Sequence, residues 1–405
     1  MDVRLIPSIF SWRLFFMKAS YRLQIVAALA LLLGYSLVVP ESAKAQGESA
    51  VPFLLIAPNS RASGIGESGT GTVDDGSAIF WNPGGLAFLD GQEVSITHAN
   101  WLPQFQQSDL FYDYLSYRNR VDDLGGVLGF SATYLNLGEF IVTGEGGPQE
   151  LGRFKAFEFA LTAGYATKAF DDLGIGMNLR FIRSSLSPIP TPGAGGEQTG
   201  KTGVANTVSV DLALMYRPQR LNFLGLGDIG KDFSAGVNLS NLGPKVTYIN
   251  ADQADPLPTN LRVGFGYKLL EDEFNSMTYS LDFSRLLVRK YTEPDSVAKA
   301  AGEKPRPPDP FYKAIFTAWG DGSGLRKIIT SMGLEYWYGA PRLIALRIGY
   351  FNENASFGNR KFLTFGAGIR YDIYGFDFSY ISAAENHPLS DTIRFSLLIG
   401  WGGTE

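Results

Sequence analysis

The chain has 405 residues, a formal net charge of −5 and no cysteine. The lack of cysteine excludes disulfides, thiolate metal sites and a lipid-modified cysteine anchor on the mature chain. An acidic chain without basic clusters also argues against nucleic-acid binding. The 47 Gly, 29 Phe and 19 Tyr are typical of tilted β-strands that carry aromatic belts at a membrane boundary.

Residues 1–45 are predicted to be a secretory signal peptide rather than part of the fold. Residues 17–22 supply a basic region, residues 25–39 an apolar core, and residues 43–45 an A-x-A cleavage site. The apolar core is too short for a spanning helix, and no later stretch of about 18 apolar residues predicts one. The good start at Met17 suggests a misassigned upstream start codon.

Residues 46–91 lack strand periodicity and are predicted to form a plug held inside a larger structure. The segment is too rich in glycine for a helix and too interrupted for a strand. We expect Gly64, Gly66, Asn82 and Pro83 to be its characteristic residues. Gly64 to Gly69 matches G-x-G-x-x-G, but a dinucleotide site needs a preceding strand and a following helix. The glycines are therefore interpreted as positions of close packing.

From residue 92 to the end, fourteen segments alternate large apolar residues with polar or small ones. A period of two predicts β-strands with two unlike faces. The last segment is the clearest, because a large apolar residue recurs at every second position from Ile393 to Trp401. The predicted strands are Glu93–Trp101, Asp109–Tyr117, Val127–Leu135, Phe157–Tyr165, Leu173–Phe181, Val208–Tyr216, Phe233–Leu239, Leu261–Leu269, Met277–Phe283, Met332–Tyr338, Ile344–Tyr350, Leu363–Ile373, Phe376–Tyr380 and Asp391–Trp401.

The charged residues within these strands fall on the non-apolar face. They are Arg180, Asp211, Arg262, Lys268, Asp282, Glu335, Arg347, Arg370, Asp372, Asp377 and Arg394. A soluble sandwich would show the same alternation, so the connection lengths decide. Short connections (169–172, 270–275, 339–342) alternate with long ones (136–155, 187–206, 240–259, 289–328), as in outer-membrane barrels. Only the connection 216–231 breaks this alternation, because it is long although it belongs to the end with the short turns.

The sequence thus predicts an all-β fold, an antiparallel transmembrane β-barrel of about 14 strands over residues 92–405 with an N-terminal plug. An even strand number is what single-chain outer-membrane barrels require. We therefore expect the lipid bilayer of a Gram-negative outer membrane as its environment, after Sec export and signal-peptide cleavage.

The longest connection, 289–328, is predicted to contain a short helix. Asp309 and Pro310 are interpreted as N-cap and first helical residue, and Phe311, Ile315 and Trp319 would share one helix face. Two interpretations stay open for this connection: a lid packed over the barrel mouth, or a surface on which a partner docks.

Enzymatic function is not expected. The two histidines, His98 and His387, lie far apart in the chain, and neither has the neighbours of a catalytic triad or a metal site. No cofactor or metal ion is therefore expected.

Several stretches resemble known outer-membrane barrels. Residues 61–66 and 74–87 are similar to the plug of the FadL-like barrels. Five stretches spread over the mature chain resemble the PorV family of type IX secretion: residues 51–58 (VPFLLIAP), 243–248 (GPKVTY), 257–262 (LPTNLR), 357–362 (FGNRKF) and 387–389 (HPL).

The resemblance to the PorV family implies a 14-stranded FadL-like barrel that binds the C-terminal signal domain of secreted cargo at its outer face. Its partners would be the large translocon barrel, called Sov or SprA, and the PorU sortase complex. Candidate partner-binding aromatics in the long loops are Trp101, Tyr248, Phe311, Trp319 and Phe357. The alternative is a FadL-like channel for hydrophobic small molecules, which would rest on fold analogy alone.

Overall fold

The computed structural model describes residues 49–105, 109–143, 149–189, 202–222, 227–249, 254–291, 307–384 and 387–403. The predicted signal peptide lies outside these residues, as does the proline-rich part of the longest connection around Lys304 to Arg306. Within the described residues, no helix is both long and apolar enough to cross a membrane.

Fourteen antiparallel strands close into one barrel, which confirms the predicted fold class. The first strand pairs with the last, so that Gln92 lies opposite Trp401 and the sheet has no free edge along this seam. The strands are β1 Gln92–Asn100, β2 Phe111–Val121, β3 Gly126–Thr143, β4 Glu150–Phe170, β5 Leu173–Ser187, β6 Gly203–Tyr216, β7 Phe233–Leu242, β8 Asn260–Glu271, β9 Asn275–Leu286, β10 Ile329–Tyr338, β11 Ile344–Asn352, β12 Lys361–Tyr371, β13 Tyr374–Ala383 and β14 Ile393–Trp401.

The two faces of the wall differ as the alternation predicts. In β14 the side chains of Phe395, Leu397 and Ile399 are exposed on the outside, whereas Arg394 and Ser396 are buried inside. Such an apolar exterior suits hydrocarbon, and a polar interior must be matched by internal partners. Of the charged residues assigned to the inner face, only Asp372 is misplaced: it is exposed in the turn after β12 because that strand ends at Tyr371.

The two ends of the barrel differ in their connections. At the short-turn end, β4 and β5 are separated by residues 171–172 alone, and β8 and β9 by residues 272–274. At the long-loop end, the connection between β9 and β10 runs from residue 287 to 328. The β6–β7 connection, residues 217–232, is long although it lies at the short-turn end, as the sequence indicated.

One predicted long loop is wrong. Residues 136–155 are mostly strand, because β3 and β4 continue as a hairpin to the pair Thr143 and Glu150. A register shift between Asn136 and Glu139 interrupts the alternation at this point, and the sequence pattern therefore ended too early.

Residues 49–91 lie inside the barrel as a plug. They contain two short helices, α1 (Ser60–Gly64) and α2 (Ala78–Trp81), and 3-10 turns at Pro52–Leu55 and Pro83–Phe88. The expectation of a wholly irregular segment is therefore wrong at these turns. The largest cluster of buried apolar residues is formed by plug and wall together, with Trp81 and Leu86 from the plug at 1% and 0% exposure.

Candidate functional site

The plug is tied to the wall by a row of buried ion pairs. Arg61 at the start of α1 donates from Nε and Nη2 to the two carboxylate oxygens of Glu335 in β10, at 2.8 and 2.7 Å. Its Nη1 also donates to Asp75, at 3.0 Å, and to Asp74. A fork-to-fork pair of this kind fixes orientation as well as charge. Arg61 thus joins two parts of the plug to the opposite wall.

The row continues along the inner wall from Glu335. Its Oε1 accepts a second hydrogen bond, from Nε of Arg347 in β11 at 2.8 Å. Arg347 then donates to Asp377 in β13 at 2.7 Å, and Asp377 accepts from Arg370 in β12 at 2.7 Å. Cations and carboxylates alternate along this row. The removal of one member would leave a buried neighbour without its partner.

Asp74 shows the effect of this row on a plug carboxyl. Burial alone would raise its pKa, but the guanidinium groups of Arg61 and Arg342 outweigh burial and lower the pKa of Asp74 to about 2. The carboxylate therefore stays ionised at any physiological pH.

The predicted plug glycines Gly64 and Gly66 lie against the wall backbone. A Cβ on Gly64 would lie 3.1 Å from the Cα of Gly366 in β12. Gly66 has φ +77°, and a Cβ there would lie 2.5 Å from the carbonyl oxygen of Met332. On the wall side, a Cβ on Gly349 would come within 2.0 Å of the Gly66 nitrogen. Glycine at these positions lets two backbones touch.

The other two predicted plug residues lie at the opposite side of the bore. The amide of Asn82 donates to the carbonyl oxygens of Thr70 and of Leu214 in β6, both at 2.9 Å. Its Oδ1 accepts from the Gly84 nitrogen at 3.0 Å, and this caps the 3-10 turn that begins at Pro83. Asn82 and Pro83 therefore position the last turn of the plug against the wall.

Two small cavities lie between the plug and the wall. A cavity of about 20 Å³ lies between Arg61, Trp81 and Ser280, and one of about 10 Å³ lies between Phe53, Tyr112 and Arg180. Each holds about one water molecule at most.

At the long-loop end, Arg285 anchors the β9–β10 loop. This side chain is 2% exposed and donates to the carbonyl oxygens of Ala318, at 2.9 Å, and of Gly324. Its guanidinium lies 4.5 Å from the Trp319 ring centroid and 3.5 Å from Asp321. One arginine thus fixes residues 318–324 to the end of a strand, by hydrogen bonds and a cation–π contact.

Asp309 lies beside the loop helix, α3 (Phe311–Thr317), and Asp321 lies in the turn that follows it. Asp309 accepts from the Tyr291 and Thr317 hydroxyls at 2.9 and 2.8 Å. It does not cap the helix, which begins one residue later than expected and has Pro310 at the N-cap position. Burial opposes ionisation of Asp321, but bonds from Ser323 and Lys327 dominate and lower its pKa to about 2.

Helix α3 and the turns that follow it carry large exposed apolar side chains. Tyr312 is 64% exposed, Phe316 76%, Trp319 45% and Leu325 76%. We call these four residues the loop patch. The buried residues of this segment are Ala314 in α3 and Ala318 directly after it, at 1% exposure each. The small residues are buried and the larger apolar ones are exposed to water. Several large apolar side chains exposed within one short segment make it a candidate interaction site.

The five aromatics predicted to be exposed in the loops are not alike. Trp101 is half-buried beside Tyr112 and Arg394, and Tyr248 is half-buried with its hydroxyl donating to Ser184 at 2.9 Å. Phe311 is half-buried, and Phe357 is half-buried under Arg326 and Lys327. Of these five residues only Trp319 is exposed, and the other four are half-buried. Their role in partner binding stays a prediction.

Five residues of the site are not predicted by the sequence pattern: Arg61, Arg285, Tyr312, Phe316 and Leu325. Arg285 carried a usable signal, since its position continues the apolar register of β9 from Met277 to Phe283. A charge in that register indicates that the strand has left the hydrocarbon and needs a loop partner.

No group of three or more His, Asp or Glu side chains suited to a metal ion occurs among the residues that the structure describes. His98 is exposed beside Asp113 at 2.7 Å, and His387 accepts from the Leu389 nitrogen at 3.2 Å within its loop.

A family model described as type IX secretion system protein PorV matches residues 41–293, which is more than half of the chain. The chain belongs to the PorV family. The match, together with the closed barrel, makes this an outer-membrane β-barrel protein of type IX secretion. The barrels of this family are not enzymes. A search of curated proteins found no match to the PorV-family chain.

Solved structures with a similar shape include other outer-membrane barrels. The Pseudomonas putida toluene transporter TodX is 13% identical with a TM-score of 0.47, covering 84% of this chain and 96% of its own. The Ralstonia pickettii toluene transporter TbuX is 11% identical with a TM-score of 0.47, covering 85% and 98%. A Pseudomonas aeruginosa FadL homologue is 10% identical with a TM-score of 0.43, covering 85% and 98%. Similarity at this level says nothing about ligands or partners.

Proposed function

We propose that this PorV-family barrel is a non-enzymatic shuttle that receives secreted cargo at its long-loop end. The cargo would be recognised through its C-terminal signal domain, taken over from the Sov/SprA-like translocon barrel and passed to the PorU-like sortase complex. Long loops face the outside of the cell in outer-membrane barrels, and short turns face the periplasm. The long-loop end would thus meet cargo after it has crossed the membrane.

The loop patch is the observation that supports this proposal most. Exposed aromatic side chains anchor protein interfaces because they bury a large area at a low cost in conformational entropy. Tyr312 and Phe316 lie one helical turn apart on α3, and Arg285 holds the adjoining segment by buried hydrogen bonds. A patch presented on an anchored loop is preorganised, which reduces the entropy lost on binding.

The small-molecule channel finds less support. A ligand moving through the bore would have to displace plug backbone that contacts wall backbone at Gly64 and Gly66. It would also have to separate Arg61 from Glu335 in a buried setting.

Affinity purification from detergent-solubilised outer membranes tests the shuttle proposal. The tagged protein is expected to recover a large translocon barrel and cargo that retains its C-terminal signal domain. A deletion strain should retain unprocessed cargo. Normal processing and surface display of all cargo in that strain would disprove the proposal, and a defect restricted to uptake of hydrophobic compounds would favour the channel.

A further inference from the structure

A polar cleft opens at the short-turn end, beneath the plug. It has a volume of about 330 Å³ and lies between the plug residues Thr72 and Asp74, the described ends of the β6–β7 connection, and the β10–β11 turn. We call it the basal cleft. The connection that is unexpectedly long for this end thus supplies one of its walls, at residues 217–219 and 230–232.

The lining of the basal cleft is richer in cations than in anions, although the chain as a whole has a net charge of −5. Its cations are Arg61, Arg217, Lys231, Lys268 and Arg342, and its carboxylates are Asp74, Asp232 and Glu335. Two of these carboxylates are already bound by Arg61, at 2.7 Å for Glu335. Lys268 is paired with Glu271 at 3.1 Å. Arg217, Lys231 and Arg342 are therefore the cations to consider for a ligand in the cleft.

Arg217 is held at the cleft wall without an ion pair among the described residues. Its Nη2 donates to the carbonyl oxygen of Val73 at 2.6 Å, and its guanidinium lies 5.2 Å from the Phe88 ring centroid. Burial lowers the pKa of Arg217, and the nearby Arg61 adds to this, while Asp74 acts in the opposite sense. A partly desolvated guanidinium with unused donors is poised for an anion.

Arg342 lies across the cleft in the β10–β11 turn. Its side chain is 41% exposed, and its nearest carboxylate oxygen, on Asp74, lies 3.5 Å from Nη1. Asp74 is bound more closely by Arg61, so the Arg342 guanidinium also has donors to spare. Lys231, exposed at the rim, adds a third cation.

We propose that the basal cleft binds a phosphate-bearing ligand, with Arg217 and Arg342 as its two guanidinium clamps. A carboxylate has two oxygens, whereas a phosphate ester offers enough acceptors for two planar guanidinium groups and an ammonium. The volume is at the lower end of that of small-molecule sites, which suits a glycerophosphate-sized group. The ligand is either a free small phosphate or the headgroup of an anionic phospholipid. This site does not depend on the shuttle function.

The experiment uses the full-length protein in detergent micelles, titrated with sn-glycerol 1-phosphate and inorganic phosphate and, as the neutral control, glycerol. Saturable binding of a phosphate and not of glycerol is expected. Arg342→Gln and Arg217→Gln should each weaken phosphate binding about tenfold, because each substitution removes one or two guanidinium hydrogen bonds. Arg120→Gln is the matched control, because Arg120 lies at the same end but pairs with Asp90 and Asp122 and does not line the cleft.

A second arm distinguishes the two ligand sources. Native mass spectrometry after release from nanodiscs of phosphatidylglycerol or phosphatidylcholine should show retained phosphatidylglycerol if the ligand is a headgroup. Retained lipid should then decrease in Arg342→Gln and not in Arg120→Gln. Heat-modifiable migration on gels verifies that each variant is folded, and the exposed Arg342 variant suffices if Arg217→Gln fails. The proposal is overturned if neither arm shows binding, or if Arg342→Gln binds as wild type does.

Discussion

The plug interior and the loop patch differ in which side chains they bury: the interior buries charged residues, and the loop patch exposes large apolar ones. In the interior, charges such as Arg61 and Glu335 are buried, and their partners come from distant parts of the chain. In the loop, apolar side chains such as Phe316 are exposed although small residues are buried beside them. The contacts inside the bore therefore stabilise the fold, whereas the long-loop end presents a surface for binding. Substitutions in the first region should change stability, and substitutions in the second should change association.

The largest effect is expected for Arg61→Met. Loss of the guanidinium leaves the buried Glu335 and the partly buried Asp74 with fewer counter-charges, which should cost about 3–5 kcal/mol of unfolding free energy. Urea unfolding in detergent measures it. Arg153→Met is the control, because Arg153 makes exposed ion pairs with Glu139 and Glu150 and its loss should cost at most about 1 kcal/mol. Equal losses of unfolding free energy in the two variants would contradict the conclusion that buried ion pairs stabilise the plug.

A smaller but still substantial effect is expected for Gly66→Ala. Both Gly66, at φ +77°, and Gly125, at φ +61°, have left-handed backbone, but a Cβ on Gly125 meets nothing within 4 Å. The backbone cost of about 1–2 kcal/mol should be common to both alanine variants. In Gly66→Ala the new Cβ would also clash with the wall backbone and displace the plug, which should cost roughly 1–3 kcal/mol more. Equal unfolding midpoints for Gly66→Ala and Gly125→Ala would mean that the plug does not pack closely against the wall at Gly66.

Substitutions in the loop patch should separate binding from stability. The double variant Tyr312→Ala and Phe316→Ala removes two exposed rings, so its unfolding free energy should stay within about 0.5 kcal/mol of wild type. Recovery of translocon and cargo in the affinity purification should decrease at least tenfold if these rings are interface anchors. As a control, Leu179→Ala and Leu212→Ala remove exposed apolar side chains from the outer wall instead. Unchanged recovery in the patch variant would remove the loop patch from the proposed interface.

The mildest effect is expected from pH. Asp321 has a pKa of about 2 in the folded loop, below its ordinary value of 3.8. Its bonds therefore stabilise the loop above pH about 4, and this contribution is lost as the pH falls from about 4 to 2. Limited proteolysis should cut the loop faster near pH 2 with an acid-active protease such as pepsin. Asp321→Asn should be cut quickly at pH 4 as well, and a variant cut no faster than wild type at pH 4 would contradict this role.

Local patterns in the sequence predict much of the wall. The strand number and the inner face follow from a period of two, because one side of the sheet must meet lipid and the other must not. The pattern fails where strands leave the membrane, as at the bulge after Asn136, since no hydrocarbon then enforces alternation. The predicted helix face holds in part: Phe311 and Ile315 are half-buried, but Trp319 lies beyond the helix and is exposed. The residues buried most completely are Ala314 and Ala318, which are too small to stand out in an apolar pattern.

The candidate site was harder to predict because its pairings are distant in sequence. Arg61 and Glu335 are 274 residues apart, and nothing in either local pattern indicates the other. The glycines were interpretable as close-packing positions, but their wall partners, such as Gly366, could be any of the inward-facing glycines. Sequence periodicity defines faces, whereas these contacts depend on how the plug sits in the closed barrel.

The position of the plug's partners has a consequence for biogenesis. The plug precedes the barrel strands in the sequence, yet Ser60 is held by Ser396, and Arg61 by Glu335. These anchors belong to the last strands to be synthesised, and the ring is sealed only when β14 reaches β1. The plug therefore cannot complete these bonds until the carboxyl-terminal strands have taken their places in the barrel.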